Sequence, residues 1–354
     1  MPSLKAFLNR NAFLNRTGPL ESPKKAPGLP DGAPADGNAD ESAVARQRSR
    51  ASFVDRLAGL KRPWLDRTTV AVSVEGSSLR VVSLADQKVA GWASIPLEPR
   101  LIRNGQIVDP ADFGAALDET FERLNLPRHR VAWALPGFQT TARVLDLPGL
   151  RGDALRQAAL DELERTLGAA VDDSFLFSQR FEGRIRSRYV FVLAVPRSTV
   201  LTALEALEAA DIRPYTMDLR PLALARAVGR ADAVVVNLEE GSLDVLVVAS
   251  GVTTLLRSIP LPGAATNLEA AQNRLVDEVD RALRYYDDSN PDRPLDADAA
   301  LYLTGRLATG ISLAERLRTM TGHPIGRLST GLTFPADFPV AEYLVNLGLA
   351  LKRS

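Results

Sequence analysis

The stretch VAVSVEGSSLRVVSLADQKVAGWASIPL at 70–97 aligns without a gap to VVVNLEEGSLDVLVVASGVTTLLRSIPL at 234–261. Matched positions include Val70 with Val234, Glu75 with Glu239, Ser78 with Ser242, Leu79 with Leu243, Val81 with Val245 and Ala85 with Ala249, and both copies end in Ser-Ile-Pro-Leu. Alternating and β-branched residues broken by Glu-Gly-Ser or Ala-Ser-Gly clusters predict strand, tight turn, strand, turn, strand in each copy. The offset of 164 residues is far too long for a solenoid unit. It predicts two similar domains in tandem, each opening with a three-stranded meander.

Helical patterns follow each copy. Phe113, Leu117, Phe121 and Leu124 form one stripe, Leu155, Ala159 and Leu163 a second, and Leu201, Leu204 and Leu207 a third. In the second half, Leu275, Val279, Leu283 and Tyr286 line a helix, and Leu313 and Leu317 a later one. Strand patterns at 131–135, 189–195 and 300–304 alternate with these helices, so the class is α/β. The first half holds more material between 130 and 188 than its counterpart needs, which predicts an inserted subdomain there. The expected division is an N-terminal extension over 1–66, a first domain over 67–230 including that insert, and a second over 231–354 whose last segment returns to the first.

Composition removes several chemistries. There is no cysteine, which excludes disulfides, zinc ribbons and thiol catalysis. Forty-three basic residues balance 43 acidic ones, so no overall field favours nucleic acid. His129 and His323 sit in dissimilar surroundings, and no metal-spaced cluster or Walker-type or dinucleotide glycine motif occurs. Asp172 with Asp173, and Asp287 with Asp288, read as solvated turn residues, Tyr285 with Tyr286 as the rim and core of a helix, and Arg184, Arg186 and Arg188 as a solvated hairpin. No apolar run approaches the ~20 residues that span a bilayer, and no signal-peptide core is present, so a cytoplasmic location is expected.

The first 66 residues differ in kind. Residues 17–43 are rich in Pro, Gly, Ala and Asp without an aromatic residue, the composition of a disordered linker. Before it stands the repeat AFLNR-N-AFLNR, whose six-residue period does not match a helix. After it, Phe53, Leu57, Leu60 and Trp64 follow helical spacing beside Arg50, Arg56, Lys61 and Arg62. Two readings stand: a basic amphipathic helix that touches membrane or partner, or a leader helix that packs on its own domain.

Two related domains, each opening with such a hairpin, resemble the actin-like (ribonuclease H-like) superfamily. VAWALPGFQTTARVLDLP at 131–148, LAVPRSTVLTALEALEAADIRPYTMDLRPLALARA at 193–227, LRYYDD at 283–288, LYLTG at 301–305 and YLVNLGLAL at 343–351 together resemble the PilM family of type IV pilus assembly proteins, related to FtsA. The resemblance spans about residues 68–352. It implies a scaffold at the inner face of the cytoplasmic membrane, forming a ring or filament and capturing the cytoplasmic tail of a PilN-like membrane protein. Alternatives are a nucleotide-binding actin-like ATPase and a GspL-like component of type II secretion.

The resemblance also implies an ATP site, with Asp-x-Gly in each hairpin turn and a Gly-Gly loop beside the adenine. Aspartate holds magnesium through water, and glycine lets backbone amides approach phosphate oxygens. In the ungapped register Ser73 and Asn237 replace the aspartates, and Glu75 and Glu239 replace the glycines. A carboxylate ~4 Å from a phosphate charge costs on the order of 4 kcal/mol at an effective dielectric of 20. The third element reads LTGRLA, with Gly305 kept and Arg306 in place of the second glycine. The candidate, degenerate nucleotide residues are therefore Ser73, Glu75, Gly76, Ser77, Ser78, Asn237, Glu239, Gly241, Gly305 and Arg306. No cofactor is expected: ATP with magnesium is disfavoured, and the chain reads as a pseudo-ATPase with no catalytic or metal residue.

Overall fold

The computed structural model describes residues 68–352 apart from 104, 148, 181–188 and 292–293. The N-terminal extension with its AFLNR repeat and with Phe53, Leu57, Leu60 and Trp64, and the triplet Arg184, Arg186 and Arg188, lie outside the described residues.

The first meander consists of β1 (Thr69–Glu75), β2 (Ser78–Ala85) and β3 (Lys88–Pro96). A short ladder of β4 (Ile102–Arg103) and β5 (Gln106–Ile107) leads into helix α1 (Pro110–Arg123). Asp109 caps α1, accepting hydrogen bonds from the amides of Ala111 and Asp112, and Pro110 occupies the first helical position, where its missing N–H costs nothing. Strand β6 (Val131–Leu135) then runs parallel beside β1. Next come β7 (Thr141–Asp146), α2 (Gly152–Leu167), a 3-10 turn at Gly168–Val171, β8 (Ser174–Arg180) and β9 (Tyr189–Pro196). Helix α3 (Arg197–Ala209) and β10 (Pro214–Leu219) complete the first half, with sheet order β10-β6-β1-β2-β3.

Helix α4 (Arg220–Val228) crosses to the second meander, β11 (Ala233–Glu239), β12 (Ser242–Ala249) and β13 (Val252–Pro260). There follow α5 (Leu268–Ser289), β14 (Ala300–Thr304), α6 (Ile311–Thr321) and α7 (Leu344–Ala350). The second sheet has the order β13-β12-β11-β14. One parallel bridge, Leu301 to Ile325, stands where the first sheet has β10.

The duplication holds at the level of register. Glu75 faces Ser78 and Glu239 faces Ser242 across two-residue turns, and each β2-type strand shifts register at equivalent places, Ser83/Leu84 and Val247/Val248. Each second turn uses two consecutive positive-φ residues, Asp86 (47°) with Gln87 (63°) and Ser250 (53°) with Gly251 (76°). That backbone twist matches the right-handed twist of the flanking strands.

Packing produces alternating layers. Helices α1 and α3 cover one face of the first sheet through Phe113, Leu117, Phe121, Val200 and Leu207. Helices α4 and α7 lie between the two sheets in a shared core that joins Ala71, Val82 and Ala132 of the first sheet to Val235 and Leu246 of the second. Helices α5 and α6 cover the outer face of the second sheet through Leu275, Val279, Leu313 and Leu317. The expected stripes are buried with one correction: in α3 the inward face is Val200, Ala203, Ala206 and Leu207, while Leu201 is exposed, because the helix is rotated by about one residue from the leucine spacing. Asp287 and Asp288 lie within the last turn of α5 rather than in a turn. Tyr286 is buried and Tyr285 exposed, as the rim-and-core reading expects.

The insert is the three-stranded sheet β7-β9-β8 with α2 packed on it through Leu155, Ala159 and Leu163. Its strands run from Thr141 to Pro196, whereas the sequence placed the insert at 130–188. The difference lies in β6, which belongs to the main sheet, and in β9, which belongs to the insert.

A strap at 324–343 ties the halves together. Val89 N donates to Thr333 O at 2.8 Å and Thr333 N to Gln87 O at 3.1 Å, at the edge of the first sheet. Trp92 then meets Phe338 edge to face, and Phe338 packs at a tilt of 42° on Tyr343 before α7 enters the shared core. Close contact of α7 with α4 needs a glycine at 348, since a Cβ there would overlap the carbonyl of Ala223. Among the described residues no helix is long and apolar enough to cross a membrane.

Candidate functional site

The two-residue turns of the two leading hairpins meet between the domains. Gly76, at φ 59°, lies so close to Glu240 that a Cβ would come within 2.7 Å of the Glu240 Cβ. Ser77 Oγ donates to Glu240 Oε2 at 3.0 Å, and Arg306 pairs with the other oxygen of Glu240 at 3.0 Å. The mouth of the cleft is thus closed by side chains and backbone of the turns themselves.

Beneath the turns lies a buried charge network that crosses the domain boundary. Arg80, on β2, donates from Nη1 to Glu239 Oε1 at 2.6 Å and from Nη2 to Oε2 at 2.8 Å, and Nη1 also reaches the carbonyl of Glu342 at 2.6 Å. Only 2% of the Arg80 side chain and 1% of that of Glu239 is exposed. The paired fork geometry is the strongest arrangement available to an arginine and a carboxylate. Arg220, the first residue of α4, donates to Asp244 of β12 at 2.8 and 3.2 Å and reaches Glu75 of β1 at 3.4 Å. The ring of Phe138, from the Pro-Gly-Phe segment after β6, lies 5.6 Å from the Arg220 guanidinium.

Polar side chains complete the network. Asp244 accepts further bonds from Ser258 Oγ at 2.6 Å and Asn237 Nδ2 at 3.2 Å, and Thr304 Oγ1 donates to Asn237 Oδ1 at 2.9 Å. On the first-domain side, Ser73 Oγ donates to Asn346 Oδ1 at 3.2 Å, and Asn346 Nδ2 donates to the carbonyls of Ala71 and Arg80. Arg306 N donates to Glu239 Oε1 at 3.1 Å. The Gly305–Arg306 loop therefore binds the second hairpin turn.

Three carboxylates, Glu75, Glu239 and Asp244, share two guanidinium groups. Glu75 is the least compensated: among the described residues its one ion pair is the 3.4 Å one, and its Oε1 has no hydrogen-bond donor. Burial raises its pKa to about 7, opposed by Arg220 and reinforced by the Glu239 charge. Burial also pushes Glu239 up, with Arg80 pulling it back. For Arg80 burial disfavours the charge, but the Glu239 carboxylate and its hydrogen bonds outweigh burial and hold the pKa above the usual arginine value.

All ten residues singled out from the sequence, Ser73, Glu75, Gly76, Ser77, Ser78, Asn237, Glu239, Gly241, Gly305 and Arg306, lie in or beside the two turns and the loop that meets them. The residues that dominate the site were not among them: Arg80, Arg220, Asp244 and Asn346. A signal for two of these was present. Arg80 and Asp244 occupy equivalent positions of the repeat, as opposite charges in otherwise apolar strands.

A magnesium-bound triphosphate does not fit this arrangement. Neither Ser73 nor Asn237 supplies a carboxylate, Glu239 and Asp244 are already taken up by arginines, and the turns that would flank phosphates touch each other. Among the described residues no group of three or more His, Asp or Glu is placed to hold a metal ion.

The sheet order, the duplicated meanders and the helices shared between the two sheets define an actin-like fold. The chain is similar to a chain of the "PilM-PilN type IV pilus biogenesis complex", with 19% identity over 80% of this chain and 97% of that one and a TM-score of 0.65. Other solved structures include the ethanolamine utilization protein EutJ from Carboxydothermus hydrogenoformans (14% identity, 88% of this chain and 99% of that one, TM-score 0.47). The cytoplasmic domain of EpsL, an inner membrane component of the type II secretion system of Vibrio cholerae, matches at 10% identity, 81% of this chain and 96% of that one, and a TM-score of 0.47. No protein-family model and no curated protein sequence matches the chain.

Proposed function

We propose that this chain is a scaffold subunit of a type IV pilus or related secretion machine, at the cytoplasmic face of the inner membrane, and that it captures the cytoplasmic tail of a PilN-like protein without hydrolysing ATP. The observation that carries the reading is the fold likeness to the PilM–PilN complex, which extends over nearly the whole of that chain, together with the sequence segments at 131–148 and 193–227 that resemble the PilM family. The buried network supports the second half of the proposal. Two arginines of the chain itself bridge the domains where a nucleotide would bridge them in an actin-like ATPase, so closure needs no ligand.

In this role the protein works by peptide recognition and by holding its two halves in one relative orientation, with assembly into a ring or filament transmitting force to neighbours. The test is calorimetry of the purified chain with the cytoplasmic tail peptide of a PilN-like protein from the same organism, without nucleotide. Binding at about micromolar Kd or tighter is expected, unchanged by ATP and magnesium. No binding overturns the partner assignment. Tight, magnesium-dependent ATP binding overturns the pseudo-ATPase assignment.

A further inference from the structure

On the outer face of the second domain, one carboxylate gathers three arginines. Glu278 of α5 is fully buried, and its Oε1 lies 2.8 Å from Arg274 Nη2 and 2.6 Å from Arg281 Nη1, one turn before and one turn after it on the same helix face. Its Oε2 lies 3.1 Å from Nη2 of Arg257, which projects from β13, an ion-pair contact without hydrogen-bond geometry. The arginines are not buried with it: their side chains are 39, 44 and 53% exposed for Arg257, Arg274 and Arg281. Arg281 donates to the oxygen that Arg274 also contacts, and the two distances place these nitrogens no more than about 5.4 Å apart.

A single arginine would neutralise Glu278 and tie α5 to β13. Three leave the cluster two positive charges in excess, which the exposed Asp277 beside it offsets only as a solvent-screened charge. Asp280 is taken by Arg284 at 2.9 Å, and among the described residues Asp277 forms no ion pair. Each guanidinium carries five N–H donors in a rigid fork. With some of these turned inward on Glu278, the head groups are held in place with donors left on their solvent side. Like charges held this close repel, and a second anion outside would relieve the repulsion.

We propose that Arg257, Arg274 and Arg281, organised by Glu278, form a binding site for a phosphomonoester dianion. The charge balance selects this class: one carboxylate and one dianion together match three guanidinium groups. The geometry selects it as well, since a tetrahedral phosphoryl group offers three oxygens to donors converging from a helix and a strand. The ligand's source is a soluble phosphate compound or the headgroup of a monoester lipid, and both present the same chemistry.

The experiment uses the full chain. Inorganic phosphate and glycerol phosphate are titrated by calorimetry at constant ionic strength, and binding to phosphatidic acid vesicles is compared with phosphatidylglycerol vesicles of equal charge density. Saturable binding of phosphate with a Kd of about 1 mM or tighter is expected, weakened at least tenfold in Arg274→Gln and in Arg281→Gln. Binding to phosphatidic acid alone, lost in the same variants, assigns the lipid source and also upholds the site. Arg281→Lys keeps the charge without the fork and is expected to bind several-fold more weakly, which reports on the site should a glutamine variant fail to fold. Absence of saturable phosphate binding together with no preference for phosphatidic acid overturns the proposal. So does binding that the substitutions leave unchanged.

Discussion

Replacing Arg80 by Met removes the cation of the Arg80–Glu239 pair and retains most of the apolar stem. The structure sets the cost. Glu239 would lose both fork bonds, at 2.6 and 2.8 Å, and keep only the Arg306 amide at 3.1 Å, in a position where 1% of its side chain is exposed. Removing one partner of a buried pair costs about 3–5 kcal/mol, because the other charge remains buried and uncompensated. For a protein of this size that corresponds to a fall in Tm on the order of 10 °C. Arg80→Met/Glu239→Met removes both charges and is expected to recover most of the loss, since well-packed apolar replacements of buried pairs are often neutral or stabilising. The single variant carries a further signature. Its lone Glu239 can escape by taking up a proton, so the deficit should be larger at pH 8 than at pH 5. Urea unfolding followed by tryptophan fluorescence measures all of this, because Trp133 is buried in the first domain and Trp92 contacts the strap. A single variant within about 1 kcal/mol of the parent, or a double variant as unstable as the single, would refute the view that the network is an interdomain clamp.

Two further expectations concern the same region. Glu75 has a folded pKa raised from 4.5 to about 7, so the folded state binds the extra proton. Its stabilising contribution is complete below pH 4.5 and disappears as pH rises through about 7, a loss on the order of 3 kcal/mol. Glu75→Gln should flatten the stability profile across that window and leave the protein more stable than the parent at pH 8, as read by denaturant midpoints at each pH. Gly348→Ala drives a methyl group into the Ala223 carbonyl between α7 and α4, and overpacking of this kind costs about 1–3 kcal/mol. Native-state hydrogen exchange should show faster opening of α4 and α7 together in that variant. Unchanged protection there would mean that the two helices do not form one packed unit.

The fold was legible because its information is local and duplicated. An ungapped repeat carried the register of both meanders, down to their two-residue turns, and periodic apolar residues placed α1, α2, α5 and α6 with the correct faces inward. Helix α3 departed from its leucine spacing where its small residues Ala206 and Ala209 pack closely on Gly114 of α1, which no apolar count reveals. The insert's edges were misplaced because β6 and β9 are both short apolar strands, and only pairing assigns them to different sheets.

By itself the sequence determined that two related α/β halves would form and that both turns carry Ser or Asn and then Glu where the resemblance implies residues for magnesium and phosphate. It could not determine what occupies the space instead. Arg80 and Glu239 stand 159 residues apart, and Arg220 and Glu75 145 apart, on elements whose own periodicities say nothing about which carboxylate each guanidinium meets. Domain closure decides that, since burial at zero or near-zero exposure is what turns ordinary surface charges into obligatory pairs.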